Sequence, residues 1–228
     1  MQEQAARRDA CFEGLLDDRS NPCHDAPMTT AIASPDLRQH MLDVAKSLML
    51  EKGFTAVGLT ELLAAAKIPK GSFYHYFASK EAFGDALLTW YFTGHHAQLD
   101  ILLGGRDPAA QRLMRYWQYW LDTQTGGDPD QRCLAVKLSA EVSDLSESMR
   151  STLEWGTRGI IERVTRCLAE GSADQSLQIT QQPAELAATL YQLWLGGSLM
   201  AKISRHRGAL DTAMASTRQL LRLADSPA

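Results

Sequence analysis

The chain has 228 residues, enough for one large or two small domains, and its 45% hydrophobic content supports a sizeable core. A net charge of -4 argues against indiscriminate nucleic-acid binding but leaves room for a locally basic surface. No run of about 18 apolar residues suggests a membrane span. The four cysteines (Cys11, Cys23, Cys133 and Cys167) are far apart and form no CxxC pair, which fits a reducing, cytoplasmic setting better than a disulfide framework.

Residues 1–33 read as a disordered arm, rich in turn formers and without an apolar period. The opening stretch mixes both charge signs and lacks the long apolar run of a secretory signal, and Met28 is a possible alternative start. From Ser34 the pattern becomes helical. Ser34 can cap, Pro35 suits the first turn, and Leu37, Met41, Leu42, Ala45, Leu48 and Met49 recur at helical spacing until Gly53. "TELLAAAK", opened by Thr60, predicts a short second helix, and "SFYHYF" predicts a third of barely two turns. Ser79 caps a long fourth helix that runs to Gly104. Five further helices are expected: "PAAQRLMRYWQYWLDTQ", Arg132 to Val142, "SESMRSTLEWGTRGIIERVTRCLAEG", "PAELAATLYQLWLGGSLMAKIS" and "GALDTAMASTRQLLRLA". No strand-type alternation or internal repeat is evident, so the chain reads as all-α.

The third helix carries the chemistry. At 100° per residue Phe73 and Phe77 share one side, His75 lies nearly opposite, and Tyr74 and Tyr76 flank it. Gly71 and Ser72 occupy the first turn, where backbone N–H groups are free to point outward, and Lys70 and Lys80 bracket the segment. Such a face complements an anionic, hydrogen-bonding surface, as a DNA major groove is. Two short helices joined by a tight turn make a helix-turn-helix.

"GLTELLAAAKIPKGSFYHYFASKEAF", with Gly53, Phe54 and Thr55 before it, resembles the DNA-binding signature of the TetR family of bacterial repressors. The resemblance spans about residues 35–95. It implies a three-helix DNA-binding domain (34–94) joined by a long helix to a C-terminal domain (95–228) that senses an effector and dimerises. It also implies that Thr60, Lys70, Gly71, Ser72, Tyr74, His75, Tyr76 and Lys80 meet double-stranded operator DNA, chiefly at phosphates, with Ser72 and His75 nearest to base edges. For the homodimer, Leu186, Leu190, Leu193 and Gly197 offer one stripe, and Leu210, Met214, Thr217 and Leu221 another. Trp117, Trp120, Trp155, Trp194 and Tyr191 are candidate pocket walls, or plain core.

"CLAVKLSAEVSDLSESMR" and "YQLWLGGSLMAKISR" are similar to the branch of this family that regulates N-ethylmaleimide reductase. That similarity implies an inducer that is a small electrophile or oxidant, sensed at Cys133. The chain departs from the branch at Ser143, where a second cysteine stands in it, so a disulfide switch is not implied. Read from the residues alone, Cys133 sits at a probable helix start beside Arg132 and one turn from Lys137, which favours a thiolate; a quiet buried cysteine is the plain alternative. Lys202, the second candidate effector-sensing residue, lies in an apolar run and needs a partner, either a Cys133 thiolate or Glu141. Phosphate-loop, dinucleotide and HExxH motifs are absent, and the adjacent His95 and His96 cannot both face one metal from a helix, so no enzyme, cofactor or metal is expected.

Overall fold

The computed structural model describes residues 34–127 and 132–223, and the expected arm at 1–33 lies outside them. The described residues form nine helices and no strand: α1 Ser34–Lys52, α2 Leu59–Ala66, α3 Lys70–Tyr76, α4 Lys80–Leu103, α5 Ala109–Thr125, α6 Leu134–Leu145, α7 Glu147–Ala173, α8 Pro183–Ser204 and α9 Gly208–Leu220. The all-α expectation holds.

Local signals explain the boundaries. Lys67 ends α2 in the left-handed conformation, with its N–H returned to Ala64 O. Ser79 accepts from the N–H of Ala82, and Ser146 from that of Met149, so both cap the helices they precede. Pro183 stands at the first position of α8, where its missing donor costs nothing.

The N-terminal core gathers Met41, Leu42, Ala45 and Met49 of α1 with Leu62 of α2 and Phe54, Val57, Phe73, Phe77 and Phe83. Phe77 meets Phe83 edge to face at 4.8 Å, and Phe73 lies 5.4 Å from each of them. Removing the Phe73 ring would cost about 3–5 kcal/mol. Helix α4, about 36 Å long by its 24 residues, runs on from this core and packs against α7, α5 and α1. The expected boundary at residues 94 and 95 falls inside it. Contact with α7 is close because Gly156 has no side chain: a Cβ there would lie 2.2 Å from the Phe92 ring. His96 crosses the same seam and bonds Gly156 O at 2.8 Å.

Two expectations about the C-terminal half are corrected by burial. Leu186, Leu190, Leu210, Thr217 and Leu221 are fully buried within the single chain, so these parts of the dimer stripes face the core. Gly197 likewise packs against Ala209 and Ala213 of the same chain. The exposed apolar side chains of α8 are Leu199, Met200 and Ile203 instead. Trp117 and Trp194 stack at 5.1 Å and are core, whereas Trp155 packs on Phe92 and His96 at the surface. The core indoles are tied down where a hydroxyl is in reach, Trp120 donating to Ser198 Oγ at 3.0 Å and Trp194 to Thr217 Oγ1 at 2.9 Å.

Candidate DNA-binding surface and cysteine cavities

Helix α3 is only seven residues long and is held from below by Phe73 and by Phe77, which follows its last residue. That anchoring leaves Tyr74 half exposed, turns Lys70, Gly71 and His75 to solvent, and keeps Ser72 and Tyr76 partly covered. His75 leans edge-on against Tyr76 at 5.0 Å. Thr60 is exposed in the first turn of α2, which begins one residue earlier than expected, at Leu59. The first turn of α3 differs from the expectation of free donors. Ser72 N donates to Pro69 O at 3.0 Å, because the extended Pro69 carbonyl is placed to receive it.

Lys80 also has an internal role. Its Nζ donates to Phe54 O at 2.8 Å and sits 4.7 Å from the Phe54 ring centre, which ties the start of α4 to the turn after α1. The sequence reading missed Arg38. This exposed residue near the start of α1 places its guanidinium 5.3 Å from the Phe77 ring, beside α3. Its signal in sequence was faint, since one arginine on a polar helix face has no distinguishing pattern.

Cys133 caps α6. Tyr91 donates its hydroxyl hydrogen to Sγ at 3.4 Å, and the N–H groups of Ala135 and Val136 also favour the thiolate. Burial nevertheless outweighs these donors and raises the thiol's pKa above its ordinary value. The expected resting thiolate is therefore corrected: the helix start is present and Arg132 shares the cavity walls with Cys133, but burial prevails. Lys137 Nζ donates to Glu51 O at 3.0 Å. Cys167, 2% exposed, lies 3.7 Å from Ala109 O, and burial pushes its thiol up to about 11, as suits a structural residue.

Two cavities meet at Cys133. One of about 330 Å³ is walled by Trp90, Tyr91, His95, Tyr116, Tyr119 and Trp120. In it the fully buried Tyr116 hydroxyl has no hydrogen-bond partner among the described residues. His95 stacks on Tyr91 at 5.8 Å, and burial, helped by His96 and Arg163, lowers its pKa to about 4, so it is neutral near pH 7. The other cavity, of about 510 Å³, brings Cys133 and Lys202 to a common wall. Burial, with the positive Lys137 and Arg132, lowers the pKa of Lys202. Glu141, its alternative partner by sequence, is committed elsewhere: the carboxylate accepts from Phe54 N at 3.0 Å and Thr55 N at 2.6 Å.

Helix α6 therefore runs from Cys133 at its start to Lys137 and Glu141, which hold the end of α1 and the turn after it. Residues 41–87 match the family described as "Bacterial regulatory proteins, tetR family", and residues 109–217 match "Tetracyclin repressor-like, C-terminal domain". The chain is 43% identical over 187 residues to the HTH-type transcriptional repressor NemR of Escherichia coli (strain K12), covering 82% of this chain and 94% of that one. The chain belongs to the TetR family. It is also 33% identical over 181 residues to the HTH-type transcriptional repressor DhaR of Mycobacterium sp. (strain GP1), covering 79% of this chain and 89% of that protein. Among solved TetR-family structures, reduced E. coli NemR superposes with a TM-score of 0.77 at 44% identity, covering 85% of this chain and 99% of that one. Among the described residues no helix is long and apolar enough to cross a membrane.

Proposed function

We propose that the protein is a cytoplasmic, dimeric transcriptional repressor that binds operator DNA through α2 and α3 and is released when a small electrophile or oxidant modifies Cys133. The observation that carries the reading is the placement of Cys133 at the head of α6, the helix whose Lys137 and Glu141 grip the DNA-binding part. Its thiol borders two cavities, so a small reagent has room beside it. Mostly protonated at rest, it reacts through its thiolate fraction, which the Tyr91 hydroxyl and the two backbone N–H groups support. An adduct at Sγ fills space at the junction and displaces the first turn of α6, and with it the end of α1. Because both recognition helices of a dimer must fit the groove together, a small change in their spacing removes much of the avidity.

The DNA-facing residues in this reading are Arg38, Thr60, Lys70, Gly71, Ser72, Tyr74, His75 and Tyr76, with Lys80 positioning them through Phe54. Leu199, Met200 and Ile203, at i, i+1 and i+4 on α8, supply the apolar face for the second subunit. The similarity to NemR, a transcriptional repressor by name, supports the operator-binding part of this reading. Fluorescence anisotropy on DNA from the gene's own upstream region tests the proposal. N-ethylmaleimide is expected to release the wild-type protein and to leave Cys133→Ser bound; full release of the variant would overturn it.

A second reading, induction by non-covalent binding of an apolar or aromatic molecule, is favoured by the aromatic walls of the smaller cavity and the unpartnered Tyr116 hydroxyl within it. Under that reading Cys133→Ser responds like the wild type.

A further inference from the structure

The larger cavity has a charge pattern that electrophile sensing does not use. Arg132, Lys137, Lys202, Arg205 and Arg207 line it, and among the described residues no Asp or Glu does. Two of the five are partly accounted for. Arg207 pairs with Asp211 at 2.7 Å, and Lys137 donates to Glu51 O. Arg132, Lys202 and Arg205 have no ion pair among the described residues. His206, also on this wall, accepts at Nδ1 from Gly208 N at 3.2 Å.

Helix dipoles explain only part of this clustering. Lys202 and Arg205 stand at the C-terminal end of α8, where cations are favoured. Arg132 and Lys137 flank the N-terminal end of α6, where the dipole is positive and cations are disfavoured. Their charges act unfavourably on Lys202. Arg132, Lys202 and Arg205 are exposed, and with no acid among the described lining residues they make a locally positive wall that suits an anion.

DNA is the wrong anion for this place. Arg38 lies against the Phe77 ring beside α3, whereas Leu50, on the wall of the cavity, is about 18 Å farther along α1. Leu50, Val136, Ala201 and Leu210 give the wall an aliphatic part, beside the polar Gln124, Thr125 and Ser198 and the Cys133 thiol. We infer that the cavity between α1, α6 and the end of α8 is a binding site for a small organic carboxylate, its anionic head held by Arg132, Lys202 and Arg205 and its aliphatic body against Leu50, Val136 and Leu210. Such a ligand would bridge α6 to α8 and bias the same helix that carries Cys133, without any covalent step.

Titration calorimetry on the Cys133→Ser protein separates this site from the cysteine chemistry, so failure of either leaves the other standing. The probes are hexanoate, its neutral analogue hexanamide, and inorganic phosphate. Hexanoate is expected to bind at least tenfold more tightly than hexanamide or phosphate, and Lys202→Met with Arg132→Gln to weaken hexanoate about tenfold or more. Equal binding of hexanoate and hexanamide would overturn the inference, as would an absence of hexanoate binding or unchanged affinity in a folded double variant. Phosphate binding as tightly as hexanoate would overturn the organic class and leave a simple anion site. If the double variant does not fold, the comparison of the three probes on the intact chain decides.

Discussion

Glu141, on α6, accepts hydrogen bonds from the backbone N–H groups of Phe54 and Thr55, 87 and 86 residues away, and from the Thr55 hydroxyl as well. Burial would raise the carboxyl pKa, but the hydrogen bonds from Thr55 and Phe54 prevail and hold it below the usual value. This single side chain satisfies the donors of the turn after α1, which otherwise have no helical partner. Glu141→Ala should therefore cost about 1–3 kcal/mol of stability. It should also weaken the link between Cys133 and the operator. Anisotropy of the N-ethylmaleimide-treated variant is expected to show less release than the wild type at equal alkylation.

Gly53 stands where that clasp closes. Its φ of +92° is a left-handed conformation, and an added Cβ would lie 2.9 Å from Glu141 Oε2. Gly53→Ala carries both the backbone strain and the collision, a cost of about 1–3 kcal/mol. A thermal melt monitored at 222 nm should show Tm falling by several degrees.

Tyr91→Phe removes the side-chain hydroxyl that donates to Cys133 Sγ. The thiol pKa then rises further, the thiolate fraction at pH 7 falls, and alkylation slows about three- to tenfold. Iodoacetamide labelling rates followed by mass spectrometry across pH 6–10 would show the profile moving to higher pH. An unchanged profile would mean that the hydroxyl does not tune the thiol.

The neutral state of His95 predicts an acid sensitivity. Its pKa falls from 6.5 to about 4, so the folded state disfavours the protonated ring. The unfolded chain takes up the proton first as pH drops, and the stabilisation present above about 6.5 is lost progressively toward 4, amounting to about 3 kcal/mol at the low end. His95→Gln should flatten the dependence of Tm on pH between 7 and 4.5 relative to the wild type.

On the DNA side, Arg38→Ala should weaken binding to all sequences alike and reduce the salt slope by about one, as loss of one phosphate contact does. His75→Ala should instead blur base preference while leaving the salt slope near that of the wild type. Anisotropy titrations at several salt concentrations on operator and scrambled duplexes distinguish the two.

The helices and the recognition segment were legible in the sequence because their causes are local. Ser79 and Ser146 cap by reaching three residues ahead, Pro183 fits a first turn, and the spacing of Phe73 and Phe77 alone decides which side of α3 is left for Tyr74 and His75. Cys133 was also legible as a helix start. Its protonation was not, because burial depends on how Tyr91, Tyr116 and Tyr191 close around the thiol from α4, α5 and α8. Nor could sequence tell which apolar stripe of α8 faces inward. Leu186 and Leu190 look as suited to a partner as Leu199 and Ile203 do, and only packing against α7 and α9 separates them. Glu141 read as a partner for Lys202 until the fold brought Phe54 and Thr55 to it from 86 residues away. Hydrogen-bond capping and helical period act over three or four residues, so sequence determines them; desolvation and long-range pairing are set by which helices meet, and only the tertiary structure decides that.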